Sequence, residues 1–82
     1  MTETNLMAQV GLTPRAARVV TQLAADVARR EGHDYVGTEH LLVALIEERH
    51  GLASQVLHKL GFAESVLDAT LTVIRAPDAA GA

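Results

Sequence analysis

Apolar positions along this chain recur at three- and four-residue steps in four separate stretches, and nowhere convincingly at steps of two. The first stretch sets Ala16, Val19, Val20, Leu23, Ala24 and Val27 on one stripe, with Arg15, Arg18, Gln22, Asp26 and Arg29 facing the other way. That spacing predicts an amphipathic helix. Thr13 is a good N-cap, Pro14 suits the first helical position, and Gly32 supplies a stop after about Glu31. His33 to Gly37 read as a turn. Thr38 is then expected to cap a second helix, with Leu41, Leu42, Leu45 and Ile46 inward and Gly51 at its end. A short third helix is expected to turn Leu52, Val56, Leu57 and Leu60 inward and to stop at Gly61. A fourth runs from about Glu64 to Arg75 on the stripe Leu67, Leu71 and Ile74. Its Val66, Thr70 and Val73 lower helix propensity, so tertiary packing must hold it. The expectation is an all-α fold: a compact bundle of four main helices, with no sheet and no internal repeat. Residues 1–11 read as a flexible arm whose Leu6, Met7 and Val10 can dock on the core. Residues 12–75 form the folded unit, and 76–82 a flexible tail.

Composition narrows the reading. With 82 residues, 49% of them hydrophobic, the chain makes one small domain near the lower limit for an independent core. It has no cysteine, so packing alone, helped by self-association, must hold the fold. The N-terminus lacks the basic and apolar regions of a signal peptide, and the longest apolar run, Leu41 to Ile46, is far short of a membrane span. A cytoplasmic protein that does not enter a membrane is expected. The net charge of −3 disfavours nucleic-acid binding. Arg15, Arg18, Arg29 and Arg30 nevertheless gather in one segment. They read as a solvated helix face; the alternative is a small helical DNA-binding regulator using those arginines.

Catalytic chemistry has no foothold. There is no phosphate-binding loop, no Gly-x-Ser-x-Gly elbow and no cysteine nucleophile. His33, His40, His50 and His58 lack metal-ligand spacing, so neither metal nor cofactor is expected. His40 reads as a half-buried packing or hydrogen-bonding residue, and His50 and His58 as exposed or near helix ends. Glu47 and Glu48 read as a solvated helix end. The segment Gly37-Thr38-Glu39 carries two readings. In one, Thr38 caps the helix and Glu39 complements its dipole. In the other, Glu39 accepts a guanidinium while free N–H groups beside it hold an anion.

The stretches Leu12-Thr13-Pro14-Arg15-Ala16-Ala17-Arg18, Gly32-His33-Asp34-Tyr35-Val36-Gly37-Thr38-Glu39-His40-Leu41-Leu42 and Gly51-Leu52-Ala53-Ser54-Gln55-Val56-Leu57 resemble, in order, a Clp N-terminal repeat. The likeness covers roughly residues 10–75 and is strongest to ClpC-type unfoldases, actinobacterial ones especially. It implies a helical, non-catalytic module that binds protein substrates, adaptors or peptide-like ligands for a Clp protease. In ClpC-type members such domains read phosphoarginine, which puts Glu39 on the guanidinium and Gly37, Thr38 and His40 at the pocket. The resemblance also implies binding of cyclic peptide antibiotics such as cyclomarin, with Leu12, Thr13, Pro14 and Arg15 as the candidate surface. Leu12 stands where the family often has phenylalanine. Family members carry two repeats ahead of an ATPase. A lone repeat exposes what a tandem pair buries, so a homodimer is expected, acting as adaptor or decoy for a ClpC-type unfoldase.

Overall fold

The computed structural model of the protein describes residues 10–76. Most of the predicted arm and tail, including the docking of Leu6 and Met7, lies outside the described residues. Val10, the third residue expected to dock, is exposed instead.

The first predicted helix is one rod in three parts: α1 (Pro14–Arg18), a π-helical stretch (Val19–Leu23) and α2 (Ala24–Arg30). Thr13 caps it as expected, its hydroxyl accepting from the Ala16 N–H at 3.1 Å. The π turn was not visible in the periodicity. Its extra residue makes the Ala24 N–H donate five residues back, to the Val19 carbonyl. Val19 therefore sits over Ala24 in the core, and Val20, predicted inward, is rotated out to solvent. Gly32 ends the rod with φ +80°, a left-handed conformation that costs glycine little.

Helix α3 (Thr38–Glu47) lies against this rod and against α5 (Ala63–Ile74), and so sits at the centre of the domain. Val43 and Ala44 of α3 pack with Val19, Ala24, Val27 and Ile74 to form the core, which Leu23, Leu41, Leu67 and Leu71 flank. The bundle is all-α, as predicted, and no strand occurs among the described residues. Helix α3 ends at Glu47; Gly51, predicted as its terminator, instead starts α4 (Leu52–Leu60) as N-cap.

Helix α4 departs most from expectation. Leu52, Val56 and Leu60, predicted inward, are 78%, 56% and 60% exposed, and Leu57 is half-buried. The buried residue of α4 is Ser54, whose hydroxyl donates to the Ile46 carbonyl at 2.7 Å. That bond satisfies an open carbonyl near the C-terminal end of α3 and holds a small polar residue against it. Anchoring Ser54 inward turns the Leu52–Val56–Leu60 edge outward. Leu45, also predicted inward, lies at the surface.

Charged pairs close the rim. Glu48, expected in a solvated end, is buried; its carboxylate lies 3.4 Å from Arg15 and 3.5 Å from Arg18 and accepts from the His50 N–H at 3.3 Å. Arg75, just past α5, donates twice to Glu31, just past α2, at 2.8 and 3.0 Å. This hydrogen bond holds the Glu31 carboxyl below the usual carboxylate range. The charges of Arg75, Arg30 and His33 add to it, and burial opposes it. A carboxylate depressed in the folded state stabilises fully above its unfolded pKa of about 4.3 and ceases to as pH falls through the lower folded value. Urea midpoints should therefore drop as pH falls below about 4.3, and Arg75→Met should make that acid slope shallower. Equal slopes in both proteins would show that the pair contributes nothing to acid sensitivity.

Candidate ligand-binding site

The turn after α2 delivers an aromatic cluster to the start of α3. His33 is pinned by its own N–H, which donates to the Ala28 carbonyl at 2.8 Å. Its ring stacks on Tyr35, with centroids 5.0 Å apart and planes 11° apart. Both rings meet His40 edge-on, at 5.1 and 5.3 Å.

His40 is fully buried, deeper than predicted, and both ring nitrogens are engaged. The Gly37 N–H donates to Nδ1 at 2.8 Å, while Nε2 lies 2.9 Å from His33 Nδ1. The backbone donor fixes the tautomer: Nδ1 is an acceptor, so the proton sits on Nε2 and is donated to His33. The His40 N–H returns a bond to the Gly37 carbonyl at 3.1 Å. This reciprocal pair does the work of a capping box, with imidazole in place of the usual Glu or Gln.

Thr38 is therefore not the cap. Gly37 is the N-cap, and Thr38 stands exposed at the first helical position. The N–H groups of Thr38 and Glu39 have by position no carbonyl partner inside the helix.

Glu39 folds back over Gly37. A Cβ built on Gly37 would sit 2.7 Å from the Glu39 carboxyl carbon, so this close approach needs glycine. The Glu39 side chain is only 10% exposed, and its Oε2 is buried without a hydrogen-bond partner. His40 Nδ1 lies 3.8 Å from Oε2 but presents a lone pair already used by Gly37, so it gives the carboxylate no proton. The Tyr35 hydroxyl is a second buried polar group without a partner on the same cluster. Burying an ionised oxygen without a donor is costly. The arrangement sets a carboxylate with one buried, unpaired oxygen at a helix mouth, beside two N–H groups that have no carbonyl partner inside the helix.

The other predicted group lies elsewhere. Thr13, Pro14 and Arg15 line a half-open cavity of about 570 Å³ with Val19, Leu45, Glu48 and Leu52; none of residues 37–40 borders it. Leu12 is exposed outside that lining. The structure thus brings Gly37, Glu39 and His40 together and separates them from Thr13–Arg15. His33 and Tyr35 were missed as parts of the site because only the turn brings their rings onto His40. Among the described residues, no group of three His, Asp or Glu could hold a metal, and no helix is long and apolar enough to cross a membrane.

The family model of the Clp repeat (R) N-terminal domain matches residues 11–76. The chain is 57% identical over 49 residues to the chaperone protein ClpB of Oceanobacillus iheyensis, covering 60% of this chain and 6% of that protein. Over 49 residues it is 55% identical, with the same shares, to the negative regulator of genetic competence ClpC/MecB of Bacillus subtilis. It is 50% identical over 52 residues to the ATP-dependent Clp protease ATP-binding subunit ClpA homolog of Guillardia theta, covering 63% of this chain and 6% of that protein. The chain spans only that small share of these relatives' length. No solved structure matches it. The match over residues 11–76 takes in every helix described above, and this chain belongs to the Clp repeat N-terminal domain family.

Proposed function

We propose that this domain is a non-catalytic binding module that takes an arginine-type, phosphorylated guanidinium of a peptide at the mouth of α3. The observation that carries this is the Glu39 carboxylate, nine-tenths buried over Gly37 and without a donor on its Oε2. A guanidinium supplies donors in a planar fork that matches a carboxylate. A phosphoryl group attached to it would lie within reach of the free N–H groups of Thr38 and Glu39 and of the positive end of the helix dipole. Gly37 keeps the carboxylate in place from below, and His40 holds Gly37.

Several relatives are named as ATP-binding subunits of a Clp protease. In this reading the domain works in the cytoplasm with a ClpC-type unfoldase or its substrates. An adaptor would raise degradation of a marked substrate by such an assembly, and a decoy would lower it. The cavity beside Thr13, Pro14 and Arg15 favours a second class of ligand, apolar peptides including cyclic peptide antibiotics, because its walls carry Val19, Leu45 and Leu52. Against the DNA-binding alternative stand the net charge of −3 and the carboxylates beside its arginines: Glu48 by Arg15 and Arg18, Asp26 by Arg29, and Glu47 by Arg30.

Calorimetric titration of a phosphoarginine peptide tests the leading reading. Saturable binding is expected, weakened at least about tenfold by Glu39→Ala, a loss of about 1.4 kcal/mol or more. Gly37→Ala should act like Glu39→Ala by expelling the carboxylate while leaving the helices folded. Equal binding by wild type and Glu39→Ala would remove Glu39 from the site.

A further inference from the structure

We infer, building on the guanidinium reading of Glu39, that a proton on His40 Nδ1 competes with the ligand for the Glu39 carboxylate, so that the mouth of α3 holds its ligand at neutral pH and releases it in mild acid.

The hydrogen bonds of the two histidines run in one direction. The Gly37 N–H donates to His40 Nδ1 at 2.8 Å, and His40 Nε2 donates to His33 Nδ1 at 2.9 Å. Both acceptor lone pairs are filled, so a further proton has no free place within this row. On His33 Nδ1 it would meet the His40 N–H head-on. On His40 Nδ1 it would meet the Gly37 N–H. Each position breaks one bond, but the second offers a new acceptor. Glu39 Oε2 lies 3.8 Å from His40 Nδ1, buried and without a hydrogen-bond partner.

The surrounding charges favour the same position. On the α2 side, His33 is within electrostatic reach of Glu31, whose carboxylate already accepts from Arg75, just past α5, at 2.8 and 3.0 Å. Arg30 lies 4.0 Å from Glu31 and donates twice to Glu47. Asp34, next to His33 in the turn, is exposed to water, which screens it. Tyr35 meets His40 edge-on and carries a hydroxyl that is itself unpaired. The oxygen facing His40 is thus the one buried carboxylate oxygen of the cluster with nothing bound to it.

Protonation follows from this geometry. Solvent delivers a proton to Nδ1, the Gly37 N–H lets go, and a turn of the Glu39 carboxylate closes the gap into a charge-assisted bond. The imidazolium then holds the oxygen that a guanidinium needs. Conversely, a bound guanidinium repels a cation on His40 and returns the ring to its neutral form. Linkage makes the two effects equal in size. An ordinary imidazole passes from about one-tenth to about nine-tenths charged between about pH 7.5 and about pH 5.5, and exclusive competition over that interval weakens binding about tenfold.

The test combines titration of a phosphoarginine peptide into the full chain at those two pH values with long-range proton–nitrogen NMR of the histidine rings. Binding about tenfold weaker at the lower pH is expected. In the free protein, His40 Nδ1 should be bare at the higher pH and protonated at the lower, and saturating peptide at the lower pH should strip it again. Glu39→Gln keeps the shape and removes the charge, so its His40 Nδ1 should stay bare to a lower pH. Equal affinity at both pH values overturns the inference and leaves Glu39 a guanidinium acceptor. Weaker binding with His40 Nδ1 still bare, or with the proton retained in the complex, assigns the pH effect to another group and overturns it as well. So does protonation unchanged by Glu39→Gln, or loss of binding only through unfolding, read from the amide spectrum of the same samples. A folded chain that binds no peptide at the higher pH overturns the guanidinium reading, and this inference with it.

Discussion

His40→Ala is expected to cost about 3–4 kcal/mol of folding stability. The side chain is fully buried, so its removal leaves a cavity among Tyr35, His33 and the first turn of α3. It also orphans the Gly37 N–H, which bonded Nδ1 at 2.8 Å, and the His33 acceptor at 2.9 Å. Small domains hold only about 5 kcal/mol or little more in total, so the variant should be largely unfolded near body temperature. His40→Asn separates the contributions. Its side-chain oxygen can replace Nδ1 as acceptor for Gly37 but cannot reach His33, so it should recover about 1 kcal/mol. Urea denaturation of the three proteins measures this. A loss below about 1 kcal/mol for His40→Ala would mean that the imidazole fills space without holding the helix mouth.

Ile74→Ala should cost about 2–4 kcal/mol, while Leu60→Ala should cost under about 0.5 kcal/mol in a dilute sample. Both residues close helical stripes that look alike in the sequence. Ile74 is the largest fully buried side chain and touches a core built otherwise of valines and alanines, which cannot grow to refill its volume. Leu60 is mostly in water already, so truncation removes little buried surface. Comparable losses for the two would show that α4 packs inward after all.

The same pair shows how far the sequence can be read. The stripe Leu67, Leu71 and Ile74 was legible because α5 meets α3 along its length. The row Leu52, Val56 and Leu60 was misread because a helical period shows which residues share a face, not which way that face is turned. The direction was set by Ser54, a polar residue whose bond to Ile46 crosses between helices. Val20 was misplaced for a related reason. A π turn shifts the register by one residue, and nothing in the residue types marks it.

The candidate site divides in the same way. Gly37, Glu39 and His40 stood out in the sequence as a glycine, a carboxylate and an imidazole at a helix start. The role of each was decided by contacts. Thr38, the better N-cap by type, yields to Gly37 because His40 accepts the Gly37 N–H and Glu39 needs the space a side chain would fill. His33 and Tyr35 joined the site only when the turn folded. Glu48 looked solvated and became a buried partner of two arginines from the facing helix.

By itself, then, the sequence determined the all-α class, the rough helix boundaries, the family and the segment that forms the helix mouth. These depend on periodicity, caps and residue order, which act between near neighbours. Only the tertiary structure decided the cap at Gly37, the tautomer of His40, the stranded carboxylate of Glu39 and the outward edge of α4. Each of those depends on atoms from separate turns or helices meeting at hydrogen-bonding or van der Waals distance, and no local pattern encodes such a meeting.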